Sequence, residues 1–420
     1  MQSQNRCRVS LHALGCKLNQ AELQELAIAF EQLGFVVVGP RDEAEAYVLN
    51  TCTVTAEADR KVRQWLRSVR RRRPDGLVVA CGCSVERDPA QLEPLADLLI
   101  SNHERDGCAA IVAARLALVA GSAAPDAVSC SGRTRSLVKI QEGCGTPCTY
   151  CIVPRVRGAE QSRPLESVLA TVRARVADGY REIVLTGTKP GAYCDGHNDL
   201  ASLIQRVLQL PGLGRLRVSS LQPHELSDGL LELWQDNRIC SHFHLSLQSG
   251  CASVLQRMGR MYSPEEFSAT LERIRSHVPG AAITTDVIVG FPGETEAEFA
   301  QSLAYCVEAG FARMHVFPFS RRPGTPAAEM LSQVPHATIR ARAMAMAEVD
   351  RRSRAAYVSS WLGRTVGVLW EEETCPGSGI YVGNTDNYIQ VFRHSDSPLQ
   401  NVLEDTVLQR IDAAGVWAGS

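Results

Sequence analysis

The sequence predicts an α/β protein in three parts: an N-terminal open parallel α/β domain, a partial (β/α)6 barrel and a small C-terminal β-barrel. Short β-branched runs alternate with helical stretches up to residue 105, and a second series of six such units follows. The last 60 residues carry strand patterns and no helix pattern. Alternating strands and helices are typical of parallel sheets, whereas several short strands in succession favour a small barrel. We place the domains at 1–128, 129–358 and 359–420.

The N-terminal domain is predicted from four strands and three helices. The strands are expected at 8–14, 35–38, 46–49 and 77–80, and the helices at 19–33, 56–73 and 89–99. Residues 108–135 are rich in Ala, Ser and Gly, which indicates a loose helix and then a linker.

The middle domain is predicted from six strands separated by helical patterns. The strands are expected at 137–141, 182–186, 215–219, 243–247, 283–289 and 313–317. Helical patterns include 225–235 and 264–277, and a helix over 337–358 closes the region. Six units are fewer than the eight of a complete barrel, so the barrel is predicted to be open. In the last domain, strands are expected at 363–370, 380–382, 388–392 and 406–411.

Composition narrows the class of function. The chain has 420 residues, of which 45% are hydrophobic and 21% charged, so it is not a disordered protein. Its net charge of −2 excludes nucleic-acid binding by bulk charge but leaves a local basic face open. Eight positive charges lie within 60–73. They indicate either a helix that contacts the phosphates of an RNA or a helix whose charged face is simply solvated, and we favour the RNA contact. By contrast, 361–420 has three Arg against eight Asp and Glu, so RNA binding there would depend on shape or on aromatics such as Tyr381, Tyr388 and Phe392.

The chain contains fifteen cysteines. Residues 1–8 are polar with no apolar stretch after them, and no segment is long and apolar enough for a membrane span. We therefore expect a cytoplasmic protein with reduced thiols and no membrane partner. Clustered cysteines in that compartment indicate metal binding more often than disulfides.

The sharpest motif is Cys144-x3-Cys148-x2-Cys151, in a loop just after a predicted strand. Three thiolates at this spacing suit three irons of a [4Fe–4S] cluster and leave the fourth iron open for another ligand. A zinc site completed by a residue from elsewhere in the chain is the alternative.

A second set of cysteines is spread along the N-terminal domain. Cys16, Cys52 and Cys83 each follow a predicted strand. The carboxyl ends of parallel strands meet at one edge of a sheet, where ligands bind, so these thiols are candidate ligands of a second cluster. Cys81 is the alternative to Cys83 as the third ligand of this set. Glycine directly precedes both Cys16 and Cys83, which indicates a loop that allows close approach of the backbone, so we favour Cys83.

Further short motifs accompany the cysteines in a fixed order. They are GCKLN at 15–19, NTCTV at 50–54, GC at 82–83, KIQEGC at 139–144, IVP at 152–154, RG at 157–158, LQSG at 247–250, DVIVGFPGET at 286–295 and HVFPFSRRPGTP at 315–326. Together with the Tyr150 before the last cysteine, this series resembles the methylthiotransferase family of radical S-adenosylmethionine (SAM) enzymes over essentially the whole chain. The resemblance implies an N-terminal methylthiotransferase domain, a radical SAM partial barrel and a C-terminal TRAM module.

Four shorter stretches resemble one branch of that family, which adds a methylthio group to C2 of N6-threonylcarbamoyladenosine at position 37 of tRNA. The stretches are LTG at 185–187, GAY at 191–193, SSLQP at 219–223 and SRR at 320–322. Methylthiolation of isopentenyladenosine-37 or of a ribosomal-protein aspartate is the alternative reaction. A non-catalytic iron–sulfur RNA-binding protein is the alternative from another class.

The resemblance also implies the cofactors and partners. Two [4Fe–4S] clusters are implied, at Cys144, Cys148 and Cys151 and at Cys16, Cys52 and Cys83, with two equivalents of SAM. The first cluster would cleave SAM to a 5′-deoxyadenosyl radical, and the second would carry the sulfur. The implied substrate is the anticodon stem-loop of tRNA, and we expect a monomer; the electron donor stays open.

Residues at the carboxyl ends of the barrel strands form the expected SAM shell. By the strand pattern these are Gly187, Ser219, Gln248 and Gly290, with Tyr150 packed near the adenine.

Overall fold

The computed structural model describes residues 6–116, 134–413 and 415–419. Its N-terminal part is a five-stranded parallel sheet in the order β2-β1-β3-β4-β5. The strands are β1 Arg8–Ala13, β2 Val36–Val38, β3 Ala46–Thr51, β4 Leu77–Gly82 and β5 Leu98–Ile100. The helices are α1 Lys17–Gln32, α2 Ala56–Arg72, α3 Cys83–Arg87 and α4 Cys108–Arg115. Every residue of β3 and β4 is buried, because helices cover both faces of the sheet.

The predicted helix over 89–99 is wrong. That stretch contains one short 3-10 turn, Pro89–Gln91, and the edge strand β5. Leu98–Ile100 pairs with Val79–Cys81, and the Asp97 carboxylate accepts a hydrogen bond from the Val78 amide at 2.7 Å. Pairing with a buried strand outweighs the local helical pattern. The loose helix expected at the start of 108–135 is present as α4, whereas most of the expected linker and the boundary at 128 fall in 117–133, outside the described residues.

The middle part contains all six predicted strands. Its strands are β6 Arg135–Glu142, β7 Gln161–Ser162, β8 Glu182–Gly187, β9 Cys194–Asp195, β10 Asn198–Asp199, β11 Arg215–Val218, β12 Ser220–Leu221, β13 His242–Gln248, β14 Ala282–Val289 and β15 Arg313–Pro318. Two parallel segments, β6-β8-β11 and β12-β13-β14-β15, follow one another at Ser219 and form the open barrel.

Helices surround this barrel and bury one large apolar core. They are α5 Val153–Arg157, α6 Leu165–Ala177, α7 Leu200–Leu208, α8 Asp228–Glu232, α9 Ala252–Arg257, α10 Pro264–His277, α11 Glu296–Ala309, α12 Pro326–Glu329 and α13 His336–Ser359. The helix predicted over 225–235 is shorter, since only α8 is α-helical there and 3-10 turns flank it.

Helix α1 of the N-terminal part packs against β6 and β8 of the barrel. The Leu137 amide donates a hydrogen bond to Gln24 Oε1 at 2.9 Å, and Arg163 pairs with both oxygens of Glu25 at 2.5 and 2.9 Å. The open barrel and the parallel sheet are thereby held against each other.

The C-terminal part is a closed barrel in the order β16-β17-β18-β20-β19. Its strands are β16 Thr365–Glu373, β17 Ile380–Thr385, β18 Gln390–His394, β19 Leu403–Ile411 and β20 Val416–Ala418. The fifth strand, β20, was not predicted, because three residues after a glycine give no alternating pattern.

This small barrel covers the amino-terminal ends of the open barrel's strands. The fully buried Arg217 pairs with Glu182 at 2.8 Å and donates to the Asp386 carbonyl at 2.6 Å. The ring of Tyr388 lies 3.7 Å from the Arg217 guanidinium carbon. Tyr388 is therefore engaged at a domain junction, and the expectation that it offers a free stacking surface to RNA is not supported.

Candidate functional site

The first cysteine motif lies in a loop that leaves β6 at the carboxyl edge of the barrel. Gly143 opens this loop with a φ of +75°, and a Cβ there would lie 1.9 Å from the Ala159 carbonyl oxygen. The Cys144 amide donates to the Gly158 carbonyl at 3.1 Å, which closes the loop. Only glycine fits at position 143, and its backbone conformation sets the position of Cys144, the first cysteine of the motif.

The structure brings the three cysteines of this loop together. Burial raises the pKa of the Cys151 thiol to about 12, and Cys148 and Cys144 add to the shift, since the three sulfurs lie close enough to interact. Nη1 of Arg260 donates to Cys148 Sγ at 3.3 Å. Three thiols beside a fixed cation suit an anionic iron–sulfur cluster, which is held by thiolates.

The second set also converges, although its members come from three separate segments. Cys16 directly precedes α1, Cys52 follows β3, and Cys83 begins α3. A Cβ on Gly15 would lie 2.6 Å from Cys52 Sγ, so glycine is needed beside Cys16. Burial raises the pKa of the Cys52 thiol to about 12, with Cys16 and Cys83 adding to the shift.

The geometry separates Cys83 from Cys81. Cys81 lies in β4 and directs its thiol to the Leu49 carbonyl at 3.6 Å and towards Cys108, within an apolar cluster. Cys83 instead packs with Ile152 and Val156, which follow the first cysteine motif. Of the two, Cys83 is the one on the side of Cys16 and Cys52.

Within the described ranges 6–116, 134–413 and 415–419, no three His, Cys, Asp or Glu side chains are grouped tightly enough to surround a single metal ion. In a [4Fe–4S] cluster the thiolates bind different irons, so the cysteines of one set need not meet at a point. The donor set of each group fits such a cluster.

The residues of the expected SAM shell lie at the carboxyl ends of the strands: Gly187 and Gln248 end β8 and β13, and Ser219 and Gly290 directly follow β11 and β14. Ser219 Oγ and the Oγ1 of Thr188, the residue after Gly187, are buried and have no hydrogen-bond partner among the described residues. Buried polar atoms are normally paired, so this edge suits a ligand with polar groups. Gln248 has a φ of +72°, a conformation that side chains rarely adopt and that is concentrated at functional sites.

Two members of the expected shell have clear packing roles. A Cβ on Gly290 would lie 2.4 Å from Ile339 Cγ1, so glycine there allows α13 to approach. The Tyr150 ring meets Phe291 edge-on, with ring centroids 6.5 Å apart. These contacts account for both residue types without a cofactor.

Sequence reasoning missed three polar residues that contact the cysteine sets: Arg260, Asn19 and Arg157. Asn19 Oδ1 accepts from Cys16 Sγ at 3.2 Å and from Arg157 Nη2 at 3.0 Å. Asn19 and Arg157 occur in the short motifs, but their spacing along the chain does not reveal the contact.

The basic segment forms the outer part of α2, beside the carboxyl edge of the barrel. The Ala56 amide donates to Ser320 Oγ at 2.9 Å, and Arg322 pairs with the buried Asp59 at 2.5 Å. Most of its cations are exposed; some pair with Glu43, Glu57 or Asp97. Among the described contacts no acidic partner meets the cations that lie one turn apart at positions 63, 67 and 71.

No helix in the described part of the chain is both long and apolar enough to cross a membrane.

Comparisons with known proteins agree with this architecture. The radical SAM superfamily matches residues 138–306, and the uncharacterized protein family UPF0004 matches residues 8–100. The structure of the radical SAM methyltransferase TsrM from Kitasatospora setae, at 15% identity, covers 76% of this chain and 74% of its own with a TM-score of 0.56. That likeness supports the fold.

Several curated proteins are similar over nearly their full length. The threonylcarbamoyladenosine tRNA methylthiotransferase MtaB of Chlamydia pneumoniae is 38% identical, over 97% of this chain and 96% of that protein. The protein of the same name from Bacillus subtilis (strain 168) is 34% identical, over 96% and 94%. The tRNA-2-methylthio-N(6)-dimethylallyladenosine synthase of Acetivibrio thermocellus is 30% identical, over 97% and 89%.

Proposed function

Because this chain belongs to the methylthiotransferase family of radical SAM enzymes, we propose that it adds a methylthio group to C2 of N6-threonylcarbamoyladenosine at position 37 of tRNA. One observation carries the proposal: Cys83 packs with Ile152 and Val156, directly after Cys151. This contact supports an arrangement in which the two sets of three cysteines face one another across the domain junction. A reaction that needs a radical and a sulfur donor requires two such centres side by side.

In this proposal, Cys144, Cys148 and Cys151 hold one [4Fe–4S] cluster and Cys16, Cys52 and Cys83 hold the other. When bound, the clusters and two equivalents of SAM supply the one-electron chemistry and the sulfur that an unactivated C–H bond needs. The chain's own residues bind, orient and shield. Buried Cys52 and Cys83 keep their side of the site away from water, and Ser219 and Thr188 offer unpaired polar atoms to SAM.

The tRNA backbone docks on α2. Its cations at 63, 67 and 71 lie on one helical face, and the helix begins against Ser320 at the edge where the substrate base must enter. Arginine forks suit phosphate oxygens, so this face can hold the stem while the loop reaches the cysteines. The acidic C-terminal barrel offers no comparable cations.

Mass spectrometry of nucleosides from bulk tRNA tests the substrate. A host that lacks the modification is compared with and without this gene, and we expect a gain of 2-methylthio-N6-threonylcarbamoyladenosine. A gain of the isopentenyladenosine product instead would select that alternative. No change in tRNA nucleosides, with a new modification on a ribosomal protein, would redirect the proposal to the aspartate substrate.

Cysteine variants test the two sets separately. Cys148→Ala is expected to abolish both 5′-deoxyadenosine formation from SAM and tRNA modification. Cys83→Ala is expected to leave SAM cleavage intact, stop thiomethylation and lower bound iron by about half, because one cluster of two is lost. Cys81→Ala is the matched control two residues away; if it abolishes thiomethylation and Cys83→Ala does not, the assignment of the second set is wrong.

A protein that binds iron and tRNA but never forms 5′-deoxyadenosine under strong reduction would be a non-catalytic iron–sulfur RNA-binding protein. That result would overturn the proposed activity while leaving the fold intact.

A further inference from the structure

A buried network of charged side chains lies between the two cysteine sets. Arg157, at the end of α5, pairs with Glu22 of α1 at 2.6 Å, and Arg105 pairs with the same carboxylate at 2.9 Å. Glu142 accepts from Lys139 at 3.1 Å and from Arg105 at 3.4 Å. The side chain of Glu22 is 0% exposed and those of Arg105 and Arg157 are 3% and 4% exposed, whereas that of Glu142 is 28% exposed. The Glu22 side of the network is therefore shielded from water.

The network is not balanced in charge. It contains three cations, Arg105, Arg157 and Lys139, but two carboxylates, Glu22 and Glu142. Asp106, which also interacts with Arg105, is exposed to solvent and screened by it. A buried charge is costly unless an opposite charge compensates it, so a surplus cation implies a further anion close by.

Of the three cations, Arg157 is the one that reaches towards the second cysteine set. Arg157 Nη2 donates to Asn19 Oδ1 at 3.0 Å, and the same oxygen accepts from Cys16 Sγ at 3.2 Å. The guanidinium is also among the charged groups near the Cys83 thiol. Arg157 is thus a cation of the barrel directed at sulfurs of the N-terminal sheet.

We propose that Arg157 is a positioning residue for the set Cys16, Cys52 and Cys83: the barrel uses it to place a fixed positive charge against an anionic iron–sulfur cluster bound there, which raises the reduction potential of that cluster. This inference rests on the proposed function, because it assumes a cluster at these cysteines. Net charge and hydrogen bonds to sulfur are among the factors that set cluster potentials. A cation in a dry site favours the reduced form, which carries one more negative charge.

The test isolates the second set in the full chain. Cys144, Cys148 and Cys151 are all replaced by Ala, the protein is reconstituted with iron and sulfide, and the remaining cluster is titrated anaerobically by electron paramagnetic resonance. Arg157→Gln is expected to shift the potential to more negative values, whereas Arg157→Lys keeps most of the original value. A purely structural role for Arg157 predicts no dependence on charge.

A matched control and an opposite change complete the design. Arg163→Gln removes another ion pair between the barrel and α1, the one with Glu25, and is expected to leave the potential unchanged. Glu22→Gln removes a negative charge from the network and is expected to shift the potential to more positive values. If Arg157→Gln binds no iron or fails to fold, the sign of the shift in Glu22→Gln tests the inference instead. An unchanged potential in Arg157→Gln, or a shift of the wrong sign in Glu22→Gln, would overturn the inference. Absence of any cluster while Arg157 is intact would overturn the proposed second cluster and this inference with it.

Discussion

Replacing Arg217 by Met tests whether the C-terminal barrel seals the amino-terminal ends of the open barrel. Arg217 is 0% and Glu182 1% exposed, and the pair is joined at 2.8 Å. The Met side chain fills much of the same space but leaves the Glu182 carboxylate buried, with Arg215 at 3.8 Å as a weaker ion-pair partner. Removing one member of a buried ion pair costs about 3–5 kcal/mol, because the remaining charge is uncompensated.

Urea unfolding of the full chain, followed by far-UV circular dichroism, measures this loss. The double variant Arg217→Met/Glu182→Gln is expected to recover part of the stability, since no unpaired carboxylate remains. Arg206→Ala is the control: it removes an ion pair with Glu166 whose side chains are 46% and 69% exposed, and it is expected to cost less than about 1 kcal/mol. If Arg217→Met costs no more than Arg206→Ala, water reaches Glu182 and the sealing role is refuted.

Two further predictions concern the site. Gly143→Ala places a Cβ 1.9 Å from the Ala159 carbonyl oxygen at a φ of +75°, so the loop must shift. About half of the iron bound per chain is expected to be lost when iron content is measured. Gly145→Ala is the control, because no atom lies within 4 Å of its added Cβ, and it is expected to keep the full iron content. Charge reversal on α2 is expected to weaken tRNA binding, measured by fluorescence anisotropy. It is also expected to lower the slope of the logarithm of the binding constant against the logarithm of salt concentration by roughly one unit for each phosphate that is no longer neutralised. Arg351→Glu on α13 is expected to change neither quantity, and equal effects of both variants would contradict docking on α2. The reversal variant combines Arg63→Glu, Arg67→Glu and Arg71→Glu.

The order of strands and helices could be predicted because hydrophobic periodicity is a local property. All six strands predicted for the open barrel are present, and four of the five strands of the N-terminal sheet follow the pattern in the sequence. The exception, Leu98–Ile100, is a strand only because β4 lies beside it and offers hydrogen bonds. Its short apolar run also fits the end of a helix, and the sequence does not contain the information that separates the two.

The sequence by itself predicted two sets of candidate cysteine ligands, since parallel strands place their carboxyl ends at one edge of a sheet whatever the details of packing. Only the tertiary structure distinguishes the surroundings of the two neighbouring thiols: Cys81 lies in β4 within the apolar core, whereas Cys83 lies one residue beyond the strand and packs beside the first motif. It also decided the charge partners. Arg157 and Glu22 are 135 residues apart in the chain, and Arg217 meets a carbonyl 169 residues away. Ion pairing depends on distance in space and on exclusion of water, and neither can be inferred from the spacing of residues along the chain.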